Sequence, residues 1–450
     1  MPVHRLPGGK RQAVFALTDE LDAWLGRQKD GAPAAELGQE AIAEAAHEPS
    51  LAPVGMPRTQ RALVVGAVVV GLLGVVLGGI YSLRNSSPAT EPAPREVRFE
   101  GNGFSLRYLR SDFVPGFTPY LGQAADLNQD GAQDVVLSSS PNDVIAVLLG
   151  NGDGTFQPPR IFEQCPQSDR VRIADLNRDG HLDIVVTCTL GNKVVVLWGA
   201  GDGTFPRRAE IPIPGGPRFL ATGDLNGDGW PDLAVGAFGQ SDLVIVKNDE
   251  GQFTPSRVAH YEALTAVAML DWDLDGRLDV VAGLQSGGMH KVGVWRGKGD
   301  GTLHPPVLYQ WPELNSLPSD LTAVDLSRDG RVDLVLSTWA GNLLLLHGLD
   351  KGGFAPPQVL ARAQGVWSPA AADFDRDGSL DLLVANRQRG TLLLLRNNAN
   401  GTFSPSSEVS FGNPISADFN RDGFPDIFLS ASLEKKVIVL LAQPDKAPGK

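Results

Sequence analysis

The chain has 450 residues, enough for one large domain or two to three ordinary ones, and its 52 glycines and 33 prolines beside 42% apolar residues point to many short strands and turns. A formal net charge of −13 excludes a basic, nucleic-acid-binding body, and two cysteines exclude a disulfide-dense scaffold or a four-cysteine metal site. The seven histidines form no HExxH or HxH grouping, so the sequence offers no zinc centre.

In chain order, residues 1–28 read as a small fragment in which VHRLPGGKRQAVFALTDELDAWLGR forms a β-hairpin and then a short helix, with Leu21, Trp24 and Leu25 on one face. Residues 29–61 are rich in Ala, Glu and Pro and read as a flexible tether. From Ala62 to Leu83 the run ALVVGAVVVGLLGVVLGGIYSL carries no charge over 22 residues. At the helical rise it spans roughly 33 Å, enough for a bilayer core, so it is expected to be a single-pass transmembrane helix. Arg58 and Arg61 precede it and Arg84, Arg95 and Arg98 follow, so flanking charge does not fix its orientation. Residues 84–97 are a Pro-, Ser- and Thr-rich linker, and 444–450 are a short tail.

Between them, residues 98–443 are repetitive. DLNQDGAQD begins at Asp126, DLNRDGHLD at Asp175, DLNGDGWPD at Asp224 and DWDLDGRLD at Asp271; DLSRDGRVD follows at Asp325, DFDRDGSLD at Asp373 and DFNRDGFPD at Asp418. The intervals of 45–54 residues are those of a propeller or solenoid. Each period has an apolar run entering the motif (VRIAD), a β-branched run leaving it (LDIVVT), a third run (KVVVLWG), a glycine turn such as GDGTF and a polar, proline-containing stretch. Four short strands separated by turns make one propeller blade. The last unit stops after its third strand, VIVLLAQ, while VRFEGNGFSLRYL at 97–109 imitates the glycine turn and the strand after it. The expected fold is therefore all-β: a closed seven-bladed propeller of four-stranded blades whose last blade takes its fourth strand from the N-terminal side.

The repeated loop D-x-[DNS]-x-D-G-x-x-D brings oxygens at positions 1, 3, 5 and 9 and the carbonyl at 7 toward one point, with Gly at 6 supplying a left-handed turn. Hard oxygen donors without nitrogen or sulfur suit Ca²⁺, and the spacing lacks the position-12 glutamate of an EF-hand. The first three ligand sets are Asp126, Asn128, Asp130, Ala132 and Asp134; Asp175, Asn177, Asp179, His181 and Asp183; and Asp224, Asn226, Asp228, Trp230 and Asp232. The fourth and fifth are Asp271, Asp273, Asp275, Arg277 and Asp279, and Asp325, Ser327, Asp329, Arg331 and Asp333. The last two are Asp373, Asp375, Asp377, Ser379 and Asp381, and Asp418, Asn420, Asp422, Phe424 and Asp426. Up to seven structural Ca²⁺ ions are expected.

On these loops and the GDGTF turns, residues 98–443 resemble the FG-GAP/VCBS repeat family, whose best-known members are integrin alpha-subunit propellers. The resemblance implies that the calcium loops join the first and second strands of each blade and that loops of the opposite rim bind ligand. Extracellular loops of this kind bind calcium at about 10⁻⁴–10⁻³ M, which would leave them empty in the cytosol. The propeller is thus expected outside, with the N-terminus cytoplasmic. Cys165 and Cys188 would then face an oxidising space, and both a disulfide and two free thiols stay open.

Candidate ligand-rim residues are Trp311, Trp339, Trp367, Arg387 and Arg389, aromatics and arginines suited to a glycan or peptide; tryptophans that merely cap blade ends are the alternative. No catalytic set is identified. The function expected is a membrane-anchored ligand-binding or adhesion module with an extracellular glycan or protein partner. The alternatives are a one-pass transmembrane sensor and a polysaccharide lyase or hydrolase. Residues 3–25 also resemble the wing and following helix of an excisionase or MerR-like domain; nucleic acid is not an expected partner of the propeller, and DNA is one only if the helix-turn-helix that should precede these residues is missing from this chain.

Overall fold

The computed structural model describes His4–Arg5, Val14–Phe15 and residues 95–443, apart from 163–164, 363–365, 387–388, 400 and 411. The predicted tether, membrane-spanning helix and tail, and Arg387, lie outside the described residues. Among the described residues no helix is long and apolar enough to cross a membrane. The chain divides into two compact units, Met1–Pro92 and Ala93–Lys450. In the first, His4–Arg5 pairs antiparallel with Val14–Phe15.

The second unit is a seven-bladed propeller. Six sheets are consecutive meanders; in the second blade, Ser168–Ala174, Asp183–Cys188, Lys193–Trp198 and Arg207–Pro212 pair in that order. The blades begin at Gly122, Ser168, Pro217, Ala263, Pro318, Val366 and Asn413, and their first strands touch in an unbroken cycle that returns from 413–417 to 122–125.

Strand alternation makes the core. Side chains of one strand face its two neighbouring blades by turns. Val186, Val195 and Leu197 pack with Val136, Ile145 and Val147 of the first blade, whereas Val185, Val194 and Val196 pack with Leu233, Val235 and Val246 of the third. The middle strands are therefore apolar at nearly every position, as strands buried on both faces must be. Seven such cores fill the seven gaps between blades.

The seventh blade closes the ring with more than the single strand expected. Its order is Arg95–Gly101, Phe104–Phe113, Lys436–Gln443, Asp426–Ala431, Asn413–Ala417. The stretch at 101–104 that imitates a GDGTF turn is the reversal of a hairpin, with Gly101 opposite Phe104 and Gly103 at φ 83°. Phe104–Phe113 lies against the last strand, Arg107 opposite Gln443 and Phe113 opposite Val437. Arg95–Gly101 adds a fifth, outer strand, whose Phe99 meets Tyr108 edge-on at 5.6 Å, both rings fully buried.

Cys165, in the connection into the second blade, is bonded to Cys188 at the end of that blade's second strand, 23 residues on. Closing a loop of that length is worth about 3 kcal/mol in the chain-entropy picture. Cys165→Ser with Cys188→Ser should lower the melting temperature by about 4 °C under oxidising conditions. Under reducing conditions the variant and the wild type should melt together, and scanning calorimetry in the two buffers checks both halves.

Candidate metal loops and ligand rim

All seven aspartate loops join the first and second strands of their blades, so they share one rim. Their internal bonding is the same in each. The amide of Gly131 donates to Asp126 Oδ2 (2.8 Å) and that of Ala132 to Asp130 Oδ1 (2.7 Å); the pairs Gly180–Asp175 and His181–Asp179, Gly229–Asp224 and Trp230–Asp228 repeat this. So do Gly276–Asp271 and Arg277–Asp275, Gly330–Asp325 and Arg331–Asp329, Gly378–Asp373 and Ser379–Asp377, and Gly423–Asp418 and Phe424–Asp422. These bonds wrap the chain around the side chains at positions 1, 3 and 5. The position-6 glycines have φ between 82° and 93°, which a β-carbon would resist.

The ninth aspartate has a job apart from any ion. Asp134, Asp183, Asp232, Asp279, Asp333, Asp381 and Asp426 are fully buried. In each, one oxygen accepts the amide of position 2 and the other an amide at the end of the third strand: for Asp134, Leu127 (2.8 Å) and Gly150 (2.7 Å); for Asp426, Phe419 (2.9 Å) and Ala442 (2.7 Å). Burial pushes the Asp381 and Asp426 carboxyls up to about 7, against the pull of those amides. Position 2, which the sequence reading passed over, is the apolar anchor beside it: Leu127, Leu176, Leu225, Leu326, Phe374 and Phe419 are buried, while Trp272 is partly so.

The donor sets fit a hard divalent cation best in the fourth and sixth loops. Carboxylate oxygens of Asp271, Asp273 and Asp275 lie within 4.8 Å of one another, as do those of Asp373, Asp375 and Asp377. Asp273 Oδ1 and Asp373 Oδ1 are buried without a hydrogen-bond partner, and an orphaned carboxylate oxygen is costly unless a cation meets it. Arg396 Nη2 donates to Asp377 at 3.0 Å and its Nε pairs with Asp375, so a guanidinium already offsets part of the sixth loop's charge. In the first, second, third and seventh loops Asn stands at position 3, and in the fifth Ser327, leaving two carboxylates at the mouth.

Position 4 is left-handed in every loop, and it reaches forward. Gln129 donates to the Gly180 carbonyl (2.9 Å), Arg178 to that of Asp228 (3.2 Å), and Arg421 to those of Asp130 (2.9 Å) and Gly131 (3.1 Å). Arg376 stacks over Phe424 at 4.5 Å and Arg328 lies against Gly378. Only Gly227 and the exposed Leu274 make no such forward contact among the described residues. The belt of loops is thus tied blade to blade on five of its seven steps.

The four described ligand-rim candidates do not form one site. Trp339 is exposed in the turn between the second and third strands of the fifth blade, and Trp367 lies buried beneath it, edge to face at 5.2 Å. Trp311 instead stacks on Tyr309 (5.5 Å) against the core between the fourth and fifth blades. Arg389 pairs with Glu408 at 3.2 Å. Sequence reading missed the other apolar tips of this rim: Leu190, Phe238 and Leu433 occupy the equivalent turns of the second, third and seventh blades and Met289 begins the third strand of the fourth, all exposed, Leu433 at 88%. A groove of about 210 Å³ opens beside Leu433, walled by Tyr120, Ala385, Gly412 and Ala431.

A family model described as FG-GAP-like repeat matches six overlapping stretches: 126–186, 175–235, 224–282, 271–336, 325–384 and 373–429. No curated protein matches the chain. Among solved structures, BBS1N in complex with ARL6DN, soaked with mercury, is similar at TM-score 0.52 and 10% identity over 78% of this chain and 98% of that one. The same complex soaked with lead gives 0.52 and 10% over 79% and 100%. Virginiamycin B lyase from Staphylococcus aureus reaches 0.49 with 12% identity over 74% and 99%. At such identities the likeness is one of fold. The family matches, by contrast, run from each of the first six aspartate loops into the next blade across most of the sequence, and the chain belongs to the FG-GAP-like repeat family.

Proposed function

We propose that this chain is a calcium-stabilised, membrane-anchored propeller that presents a protein-binding rim outside the cytoplasm. The observation that carries the reading is the segregation of the two rims. One gathers the aspartate loops and exposes Leu274 and Leu349; the other exposes Leu190, Phe238, Trp339 and Leu433 on turns and Met289 at the start of a third strand. Exposed apolar side chains gathered on one face mark interaction surfaces, and tryptophan and leucine anchors suit a protein more than a sugar polymer. A propeller of the same fold, BBS1N, is found in complex with a protein, ARL6DN, which supports a protein partner.

Calcium supports this role by fixing the loops of the far rim, with the orphaned oxygens of Asp273 and Asp373 as its strongest donors. The Cys165–Cys188 disulfide favours an oxidising compartment, and the uncharged run at 62–83 is the anchor.

The test is a binding screen of the soluble unit 93–450 against extracellular proteins, matrix peptides and glycans, with calcium and with chelator. A calcium-dependent protein ligand is expected, weakened at least about tenfold by Trp339→Ala or Leu433→Ser, as for anchor residues at an interface. A ligand bound equally well by both variants would remove the rim from this role.

A further inference from the structure

Around the axis of the propeller, where the first strands meet, lies a cavity of about 170 Å³ with a largely polar wall, lined by Arg170 and Arg172 of the second blade, Asp320 and Thr322 of the fifth, Pro369 and Asn413. Its charges come from blades far apart in sequence. Arg170 Nη2 reaches Asp320 Oδ1 at 2.7 Å, and next to it Arg218 Nε meets Asp169 Oδ2 at 3.0 Å. Three guanidinium groups therefore share two carboxylates. The one left over is Arg172, whose Nη1 donates to the Val171 carbonyl at 2.8 Å; Asp320 acts on it through space but is already paired with Arg170. Burial, with Arg170 beside it, pulls the Arg172 guanidinium down to about 10, so it stays charged at neutral pH.

A charge withdrawn from water is costly unless a counter-charge and hydrogen bonds meet it. Neighbouring walls bring no second carboxylate to it: the Thr322 hydroxyl donates to the Pro369 carbonyl at 2.8 Å and Asn413 Nδ2 to that of Tyr120 at 2.7 Å, so the polar side chains beside it are neutral and tied to backbone. A planar guanidinium with unused N–H groups matches a carboxylate in fork-to-fork fashion. We propose that the axial cavity is an anion site in which Arg172 binds a carboxylate. The single uncompensated charge selects a monoanion over a phosphate dianion. This inference does not depend on calcium in the loops or on a ligand at the rim.

The experiment uses the full chain purified in detergent, titrated with acetate at constant ionic strength set by chloride, and followed by calorimetry and by tryptophan-fluorescence melting. Saturable binding is expected, with a rise in melting temperature that chloride does not give. Arg172→Gln should weaken acetate at least about tenfold. Asp320→Asn, which releases Arg170, should tighten it severalfold, and this opposite sign keeps the test decisive if the first variant folds poorly. A blocked tripeptide with a central aspartate separates the two sources of a carboxylate: binding by acetate alone makes the ligand a small acid, while binding by the peptide as well makes it an acidic side chain. Absence of saturable acetate binding, an unchanged response in both variants, or equal binding of phosphate overturns the assignment.

Discussion

Chelation of calcium should lower the melting temperature of this protein by about 10–15 °C. At 1 mM Ca²⁺, a loop binding at about 10⁻⁴ M gains RT ln 11, or about 1.4 kcal/mol, and seven independent loops gain about 10 kcal/mol. For the roughly 350 residues of the propeller that free energy corresponds to the stated shift. The number of loops and their affinity set the size; where they sit spreads it through the ring, since each loop leads into its blade's buried second strand. Magnesium should not replace calcium, because loops of two or three carboxylates with flexible geometry do not meet its octahedral demand. Asp373→Ala should remove one ion from the bound stoichiometry with a smaller loss of stability. Melting curves in calcium and in chelator that superimpose would end the structural-metal reading.

Deleting residues 93–113 should leave a chain that does not fold to a soluble monomer. Those residues supply two strands of the seventh blade and bury Phe99 and Tyr108, with Val97, Phe104 and Leu106 packed against the same core. Burial of an aromatic or large aliphatic side chain contributes about 1.5–3 kcal/mol, so the loss approaches the 5–15 kcal/mol of net stability typical of a folded protein. The deletion also bares the edge of Lys436–Gln443, an apolar strand that would pair with other chains. The milder Tyr108→Ala should cost about 3–5 kcal/mol. Supplying 93–114 as a separate peptide, or grafting it after residue 443, should restore solubility. A deleted chain that remains monomeric with an unchanged melting temperature would show that the hairpin is not the clasp of the ring.

Blade number and the aspartate loops were legible because each repeat writes the same local contacts: a loop of nine residues is bonded almost wholly within itself. Closure was legible as a debt, a last unit short of one strand. The fifth strand was not, because 97–104 spells a glycine turn and nothing local says on which side of it the sheet continues. The second role of the ninth aspartates was not legible, since composition reports the oxygen and not the amides beyond the loop, such as Gly150 and Ala442, that it accepts. Two alternate arginines in SDRVRIAD were a visible oddity in a first strand, yet their meaning depends on Asp320, which the ring brings from some 150 residues away. The tryptophans diverge for a similar reason: one rim position per blade predicts neighbourhood for Trp339 and Trp367, whereas Trp311 turns back onto Tyr309.

A ring fastened by its first-made segment carries a cost in time. Arg107 must wait for Gln443, its partner across the last sheet. At synthesis rates of 5–20 residues per second the intervening chain takes roughly 17–67 s to appear. Throughout that interval Phe99, Phe104 and Tyr108 belong to a two-stranded ribbon, which is at best marginally stable in water. The propeller is thus a fold whose beginning stays sticky until its end arrives, and each newborn chain passes through a window in which its own hairpin is open to any other chain's unfinished blade.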